Sequence, residues 1–421
     1  MHRSSRGVGR RRRFCLFRDK ANRCGARGLA HRAGIAGISA RRNRSRRGGR
    51  VARPRARENS ALAEGWPAAV TIAAMNAPTS SHPPHVTNPA PRALPRIAVL
   101  ATGGTIAGAA PDAAQTAGYH AGALGVDRLL AAVPALAQIA TIEAEQIASI
   151  DSKDLSVALW TTLVERINAL AASEAIDGIV ITHGTDTLEE TAYLLHLTVK
   201  TAKPVVMTAA MRPATALSSD GPLNLLNAVA VAGSAAARGQ GVLVAFNNRV
   251  HSARDVVKTS TYAVDAFHSP ELGALGWVQD GRIEFARRAT RAHTLDTRFA
   301  IGAAWPQVDV VTSYAGASRV IVDACVAAGA RGLVVAGTGN GSIHAAVQTA
   351  LADAAAKGVA IVRASRVGSG HVMRNGAAND DALGFVSAGS LNPYKARVLL
   401  MLALAAGMTD VHELQQAFDT Y

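Results

Sequence analysis

The sequence contains few aromatic residues and few cysteines. Phenylalanine, tryptophan and tyrosine make up 4% of the 421 residues, so aliphatic side chains must fill the core of a chain that is 49% apolar. Cys15 and Cys24 lie in a basic N-terminal segment, which leaves Cys325 as the one cysteine in the rest of the chain. A single thiol excludes an intramolecular disulfide there. No apolar run reaches the roughly 18 residues of a membrane span, so no membrane association is predicted.

Positive charge is confined to one end of the chain. Residues 1–60 contain 20 of the 45 lysines and arginines and carry a net charge of +18, whereas the remaining residues carry −3. A mildly acidic remainder does not support a general affinity for nucleic acid. The total charge of +15 therefore predicts no nucleic-acid partner for the folded part.

Residues 1–94 are interpreted as a basic, disordered leader. They are arginine-rich without hydrophobic periodicity, and Ala77–Pro95 is rich in proline, serine and histidine. Arg11–Phe17 is similar to a twin-arginine export signal, but charged residues interrupt the apolar region that should follow it. A transit peptide is an alternative, and a start of translation at Met75 is the hypothesis that we favour. That start predicts a cytoplasmic protein, with the periplasm as the alternative.

The stretch RIAVLATGGTIAG, residues 96–108, joins an apolar run to a turn rich in glycine and hydroxyl groups. Ile97–Ala101 predicts a strand buried on both faces, as in a parallel sheet. Thr105 then lies just past Gly103 and Gly104, at the sheet edge where open α/β folds bind ligands. A merely structural turn is the simpler alternative. The glycine spacing meets neither nucleotide-binding fingerprint, so a nucleotide-binding module is a secondary hypothesis.

A second polar turn has the sequence THGTDT, residues 182–187. It follows the apolar run Gly178–Ile181 and opens a helix predicted over Leu188–Val199. Six successive polar or minimal side chains after a buried strand are difficult to explain by packing. Apolar strands alternate with amphipathic helices from Arg96 onward, which predicts a doubly wound α/β fold. Ser152 follows another predicted strand, and helix capping is a sufficient explanation for it.

The motifs ATGGTIAG and ITHGTDTLEETAY, in this order, resemble those of bacterial-type L-asparaginases and asparaginase-glutaminases of type II. The resemblance continues through KPVVMTAAMRPATALSSDGPLNLLNA, RDVVKTSTY, AGTGNGS and LNPYKARVLL, and it covers residues 95–421. It implies a larger N-terminal catalytic domain with a flavodoxin-like, mostly parallel sheet over residues 95–286. A linker over 287–306 and a smaller C-terminal α/β domain over 307–421 complete the implied organisation.

The resemblance implies hydrolysis of the side-chain amide of L-asparagine, and to a lesser extent L-glutamine, without cofactor or metal. Thr105 is the implied nucleophile of an acyl-enzyme mechanism, and Tyr119 supports its proton transfer. Thr185, Asp186 and Lys258 form a second implied catalytic group. The chemistry is consistent, because a threonine hydroxyl needs a neighbouring proton acceptor to attack an amide.

Substrate binding and assembly are implied in the same way. Ser152, Thr185 and Asp186 would hold the α-carboxylate and α-ammonium groups of the amino acid. Asn340 matches a family residue that reaches the active site of a neighbouring subunit in a homotetramer. Backbone N–H groups of the two glycine turns would stabilise the oxyanion.

Some positions depart from the family pattern. Lys153 stands where relatives commonly have glutamine or glutamate, Ala377 where some relatives supply a glutamate, and Thr201 at a cysteine of periplasmic relatives. The first two leave the choice between asparagine and glutamine open, and they keep a non-catalytic amino-acid sensor as an alternative. His183 is interpreted as structural, and Arg212 is expected to pair with a carboxylate.

Overall fold

The computed structural model describes residues 93–302 and 304–421. The basic leader, except for its last two residues, and the start considered at Met75 lie outside the described residues. Within the described part of the chain, no helix is long and apolar enough to cross a membrane.

An eight-stranded sheet organises the N-terminal domain, in the order β10-β9-β6-β5-β4-β3-β1-β2, while β7 and β8 pair separately. Strands β1 to β5 are parallel and follow the order 2-1-3-4-5, which is that of flavodoxin-like folds. The predicted fold class is therefore confirmed. The strands of this domain are β1 (Arg96–Gly103), β2 (Thr141–Ile150), β3 (Gly178–Thr182), β4 (Val205–Thr208), β5 (Val242–Phe246), β6 (Arg249–Ser252), β7 (Val257–Lys258), β8 (Phe267–His268), β9 (Gly276–Gln279) and β10 (Arg282–Phe285).

Helices cover both faces of this sheet, which explains why its central strands are apolar on both sides. All five residues of β3 are buried. The helices are α1 (Val126–Ala131), α2 (Leu136–Ile139), α3 (Val157–Ala172), α4 (Leu188–Thr198) and α5 (Gly221–Ala232). One apolar cluster lies between the sheet and α1, α2 and α5, and another lies between the sheet and α3 and α4.

The C-terminal domain contains a four-stranded parallel sheet in the order β11-β12-β13-β14. Its strands are β11 (Val308–Thr312), β12 (Gly332–Gly337), β13 (Ala360–Ser365) and β14 (Phe385–Ser387). Its helices are α6 (Val320–Ala327), α7 (Ala345–Ala355), α8 (Asp380–Leu383), α9 (Pro393–Ala405) and α10 (Val411–Thr420). Helix α9 shares one continuous apolar core with α4, so the two domains pack through a common interior.

The carboxyl ends of β1 and β3 are in direct contact. These strands are neighbours in the sheet, with Ala101 opposite Thr182. Gly104 has a φ of +78°, and a Cβ at this position would lie 2.3 Å from the Cα of Gly184. Only glycine permits this approach, because both the backbone conformation and the space exclude a side chain. The turns that carry Thr105 and Thr185 are therefore held side by side.

Candidate active site

Thr105 and Tyr119 form a partly buried hydroxyl pair at the end of β1. The Oγ1 atom of Thr105 lies 2.5 Å from the hydroxyl oxygen of Tyr119. Thr105 is 5% exposed and begins a short 3-10 turn just after Gly104. Burial raises the pKa of Tyr119, its hydrogen bond with Thr105 lowers it, and the carboxylates of Asp151, Asp186 and Asp220 raise it further. The tyrosine hydroxyl therefore keeps its proton at neutral pH.

The loop that carries Tyr119 is fastened to the β1 turn by backbone hydrogen bonds. The N–H groups of Gly122 and Leu124 donate to the carbonyls of Gly104 and Ala107, at 3.0 and 2.9 Å. Gly108 leaves room for the tyrosine ring, since a Cβ there would lie 2.9 Å from its Cδ2 atom. The loop thus presents the hydroxyl of Tyr119 to Thr105 from a fixed position.

Thr185, Asp186 and Lys258 form a second polar group beyond the end of β3. The Nζ atom of Lys258 donates to Thr185 Oγ1 at 2.9 Å and to Asp186 Oδ1 at 2.6 Å. The side chain of Lys258 is 19% exposed and that of Asp186 is 53% exposed. The lysine is therefore enclosed while the carboxylate faces the open edge of the sheet.

Ser152 connects the end of β2 to the second turn. Its Oγ accepts a hydrogen bond from the N–H of Asp186 at 3.2 Å, and its carbonyl accepts one from Thr187 Oγ1 at 2.8 Å. Ser152 is 3% exposed and packs directly on Gly184. It is the first residue of a 3-10 turn, whose N-cap is Asp151. The structure thus brings Ser152 to the base of the second group.

Lys153, which departs from the family pattern, is paired with two carboxylates. Its Nζ lies 2.6 Å from Asp151 and 3.2 Å from Asp154. The hydrogen bond with Asp151 and that with Asp154 raise the pKa of this lysine. The positive charge of Lys153 is consequently balanced by two neighbouring acidic groups.

His183 is fully buried beneath the second turn. Its Nδ1 lies 2.8 Å from the carbonyl oxygen of Gly184, and its Nε2 has no partner among the described residues. Burial lowers the pKa of His183 to about 4, while the bond to Gly184 acts in the opposite direction. A neutral imidazole that donates from Nδ1 fits a structural role in the turn.

Asn340 lies in the C-terminal domain and makes none of the contacts of these groups. It is exposed in the connection after β12, and its Oδ1 accepts a hydrogen bond from the N–H of Met373 at 2.8 Å. Its carbonyl oxygen accepts a hydrogen bond from the fully buried Arg363, which is paired with Asp380. Asn340 is therefore presented at the surface on a rigid support.

The structure also shows the contacts of Arg212 and Thr201, two residues named in the sequence analysis. The predicted pairing of Arg212 with a carboxylate is wrong for the described residues. The guanidinium donates to the carbonyl of Ser218, and only the backbone N–H of Arg212 meets Asp220. Thr201, at the expected cysteine position, is buried and accepts a hydrogen bond from the N–H of Lys203.

Sequence reasoning missed the residues that support Lys258. The N–H of Lys258 donates to Glu189, which also accepts a hydrogen bond from Asn392 of the C-terminal domain. Glu189 follows the THGTDT turn, where an acidic residue in the first turn of a helix needs no special explanation. Only the contact between the two domains shows what this carboxylate binds.

A cavity of about 390 Å³ lies apart from these groups. Its lining includes Val257, Asn392 and several arginines, but none of the predicted site residues. The polar groups at the ends of β1 and β3 instead lie along an open edge, where Asp186 is exposed. Within the described residues, no cluster of three or more histidine, cysteine, aspartate or glutamate side chains has the arrangement of a metal site.

Two family models match the chain. The model of the N-terminal asparaginase domain matches residues 96–291, and that of the glutaminase/asparaginase C-terminal domain matches residues 307–418. A probable periplasmic L-asparaginase of Haemophilus influenzae is 48% identical over 330 residues, which are 78% of this chain and 93% of that protein. A glutaminase-asparaginase of Pseudomonas fluorescens is 46% identical over 331 residues, 78% of this chain and 91% of that protein.

A solved structure shares the fold. The crystal structure of a probable cytoplasmic L-asparaginase from Campylobacter jejuni superposes with a TM-score of 0.75 at 47% sequence identity. The match covers 78% of this chain and 100% of that chain.

Proposed function

The chain belongs to the asparaginase family and is an amidohydrolase, and from this membership we propose that it hydrolyses L-asparagine through a threonine acyl-enzyme. The products are L-aspartate and ammonia, and L-glutamine is the expected secondary substrate. The observation that carries the proposal is the placement of two threonines, each with its own proton-transferring partner, on adjacent strand ends. A threonine hydroxyl becomes a nucleophile only with such a partner.

The first half of the reaction uses the hydroxyl pair. Thr105 Oγ1 attacks the side-chain amide carbon, and its proton passes to the Tyr119 oxygen while the tyrosine proton moves to the amide nitrogen. The bond between carbon and nitrogen then breaks, ammonia leaves, and an ester to Thr105 remains. Tyr119 is neutral before and after this transfer, which agrees with its raised pKa. Backbone N–H groups of the glycine turns stabilise the oxyanion.

The second half of the reaction uses the charged group. Lys258 takes part in this step as the neutral amine. Water attacks the ester carbon and gives a proton to Thr185 Oγ1, while the hydroxyl proton of Thr185 passes to the amine of Lys258. The Thr105 oxygen leaves as the hydroxyl when it takes up this proton, and L-aspartate is released. Asp186, exposed at the edge of the sheet, binds the α-ammonium group of the substrate, and Ser152 helps to bind the α-carboxylate.

The assembly that we propose is a homotetramer in which Asn340 completes the site of a neighbouring subunit. The exposure of Asn340 and its support by buried Arg363 favour this role. The division into residues 95–286, 287–306 and 307–421 belongs to the same proposal. The cytoplasm stays the predicted location, with the periplasm as the alternative, since the named relatives include both kinds of protein.

The experiment that tests this function is ammonia release by the purified full chain. L-Asparagine and L-glutamine are supplied separately at equal concentration, and Thr105→Ala is measured beside the parent. We expect release from asparagine, weaker release from glutamine, and none above background from the variant. Thr162→Ala is the matched control, because among the described residues that hydroxyl bonds only the carbonyl of Ala158 within α3. A folded parent that releases no ammonia, or an active Thr105→Ala variant, would refute the proposal.

A further inference from the structure

The backbone that carries Lys258 is held by a buried lysine of the C-terminal domain. The Nζ of Lys395, in the first turn of α9, donates to the carbonyls of Arg254 and Val256, at 2.7 and 2.5 Å. Lys395 is 1% exposed, and no carboxylate lies within salt-bridge distance of it among the described residues. A buried ammonium group is expensive to maintain, so these two carbonyls are specific partners and not incidental neighbours.

A buried carboxylate holds the same segment from another direction. Glu189 Oε2 accepts the hydrogen bond of the Lys258 N–H at 2.7 Å, and Glu189 Oε1 accepts one from Asn392 Nδ2 at 2.8 Å. Glu189 is 6% exposed. Asn392 is also the N-cap of α9, where its Oδ1 accepts the N–H of Lys395 at 2.9 Å. One asparagine thus links the start of α9 to the backbone of Lys258 through one carboxylate.

The anchoring extends to Arg254, four residues before Lys258. Its Nε donates to the main-chain oxygen of Tyr421 at 3.0 Å, and its NH1 donates to Ser390 Oγ at 3.0 Å. The segment from Arg254 to Lys258 therefore has several independent attachments to the C-terminal domain. By contrast, β7 contains only two residues and pairs with the two of β8. Sheet pairing alone gives this segment little support.

We propose that Glu189, Asn392 and Lys395 are positioning residues that hold the backbone of Lys258, so that its amine reaches Thr185 and Asp186. The inference depends on the proposed function, because it assigns the C-terminal domain of each subunit a role in its own active site. This role is distinct from assembly and from the contribution of Asn340 to a neighbour. The charged groups around Lys395 are Glu189, Asp255 and Arg254, and burial lowers its pKa to about 8.

The test exchanges the donor and the acceptor of the hydrogen bond between Asn392 and Glu189. Asn392→Asp keeps the helix cap but places a carboxylate against Glu189, and Glu189→Gln places an amide against the amide of Asn392. The double substitution restores a donor facing an acceptor, because the new glutamine can donate to the new aspartate and still accept from the Lys258 N–H. Asn168→Asp is the matched control, since within the described part of the chain that side chain only accepts the N–H of Lys200.

We expect each single substitution to lower kcat about tenfold or more, since small displacements of a reacting group have large effects on rate. KM should change much less, and the double variant should recover most of kcat. Amide hydrogen exchange in the peptide containing Lys258 should be faster in each single variant and return toward the parent rate in the double variant. Melting temperatures establish that all variants are folded.

Different outcomes separate the two proposals. An inactive parent would refute the proposed function itself. An active parent whose single variants keep kcat, or whose double variant combines both losses without recovery, would refute only the positioning role. A loss confined to KM would also overturn it, because the residues would then act on substrate binding. Lys395→Met is the second variant, and we expect it to lower kcat and accelerate the same exchange.

Discussion

The candidate site has two halves: Thr105 and Tyr119 form the neutral, nucleophile half, and Thr185, Asp186 and Lys258 form the charged, lysine half. The two halves are held in place in different ways. Thr105 and Tyr119 are 14 residues apart, and their pairing depends on the glycine turn and on a loop fastened to it. Thr185 and Lys258 are 73 residues apart, and the lysine depends on contacts from the other domain. The nucleophile half therefore takes both of its side chains from one short stretch of sequence, whereas the lysine half draws on contacts from both domains.

The halves also differ in charge. Tyr119 keeps its proton because burial and nearby carboxylates raise its pKa, so the first half consists of neutral hydroxyls. The second half contains a lysine and a carboxylate whose Nζ and Oδ1 atoms are 2.6 Å apart, and that carboxylate is exposed to the open edge. A neutral half suits an attack that relays protons, and a charged half suits binding of the zwitterionic amino acid.

The largest effect should come from removing the lysine of the charged half. Lys258→Met should lower kcat about a thousandfold, in the range expected for loss of a proton acceptor. Because the lysine acts on the ester in the proposed scheme, intact-protein mass spectrometry should detect acylated Thr105 during turnover. Lys203→Met is the control, since in the part of the chain that the structure describes the amine of Lys203 bonds only the carbonyl of Ser173. Normal kcat in Lys258→Met would show that Lys258 is not the proton acceptor and that the charged half has no separate catalytic role.

A smaller effect is expected from the neutral half. Tyr119→Phe removes one hydroxyl and should lower kcat about a hundredfold at every pH from 6 to 9, because the tyrosine stays protonated throughout. Tyr262→Phe is the matched control, since its exposed hydroxyl also pairs with a threonine, Thr116, at 3.0 Å. Steady-state kinetics of the two variants should differ strongly. Equal, small effects of the two substitutions would show that the hydroxyl of Tyr119 is not needed for catalysis.

The smallest effect is on the pH dependence of the unfolding free energy, through His183, which is buried beneath the charged half. His183 has a folded pKa of about 4, below its unfolded value, so its contribution to stability is complete above pH 6.5 and is lost as the pH falls toward 4. The loss should be about 2 kcal/mol at pH 5. His183→Asn keeps a donor for Gly184 and should reduce the fall in unfolding free energy between pH 7 and 5 by that amount. Denaturant titrations that give parallel pH curves would contradict this prediction.

The sequence made the sheet and the nucleophile half predictable. Strands β1 and β3 are short apolar runs that end in glycine and hydroxyl residues, and this local pattern places Thr105 and Thr185 at the same sheet edge. Lys258 is different, because β7 is too short to show a period and only the family resemblance singled it out. The partner of Arg212 was predicted wrongly, since a guanidinium can bind carbonyls as well as carboxylates.

The supporting residues could not be found from the sequence for a physical reason. Lys395 lies in the first turn of α9 and Glu189 in the first turn of α4, where charged side chains usually face solvent. Both are buried because α4 and α9 pack against each other in one apolar core. That packing is a property of the tertiary structure, and no spacing in either helix reveals it.

The separation of Lys395 from its partners has a consequence for biosynthesis. Its two carbonyl acceptors precede it by 141 and 139 residues, and Glu189 precedes Asn392 by 203. A ribosome adds the stretch between Arg254 and Lys395 in on the order of ten seconds. During that interval the nascent N-terminal domain presents the apolar surface of α4 without its cover, which is a target for chaperones. The enzyme would consequently become competent only after α9 has emerged, however early its nucleophile is in place.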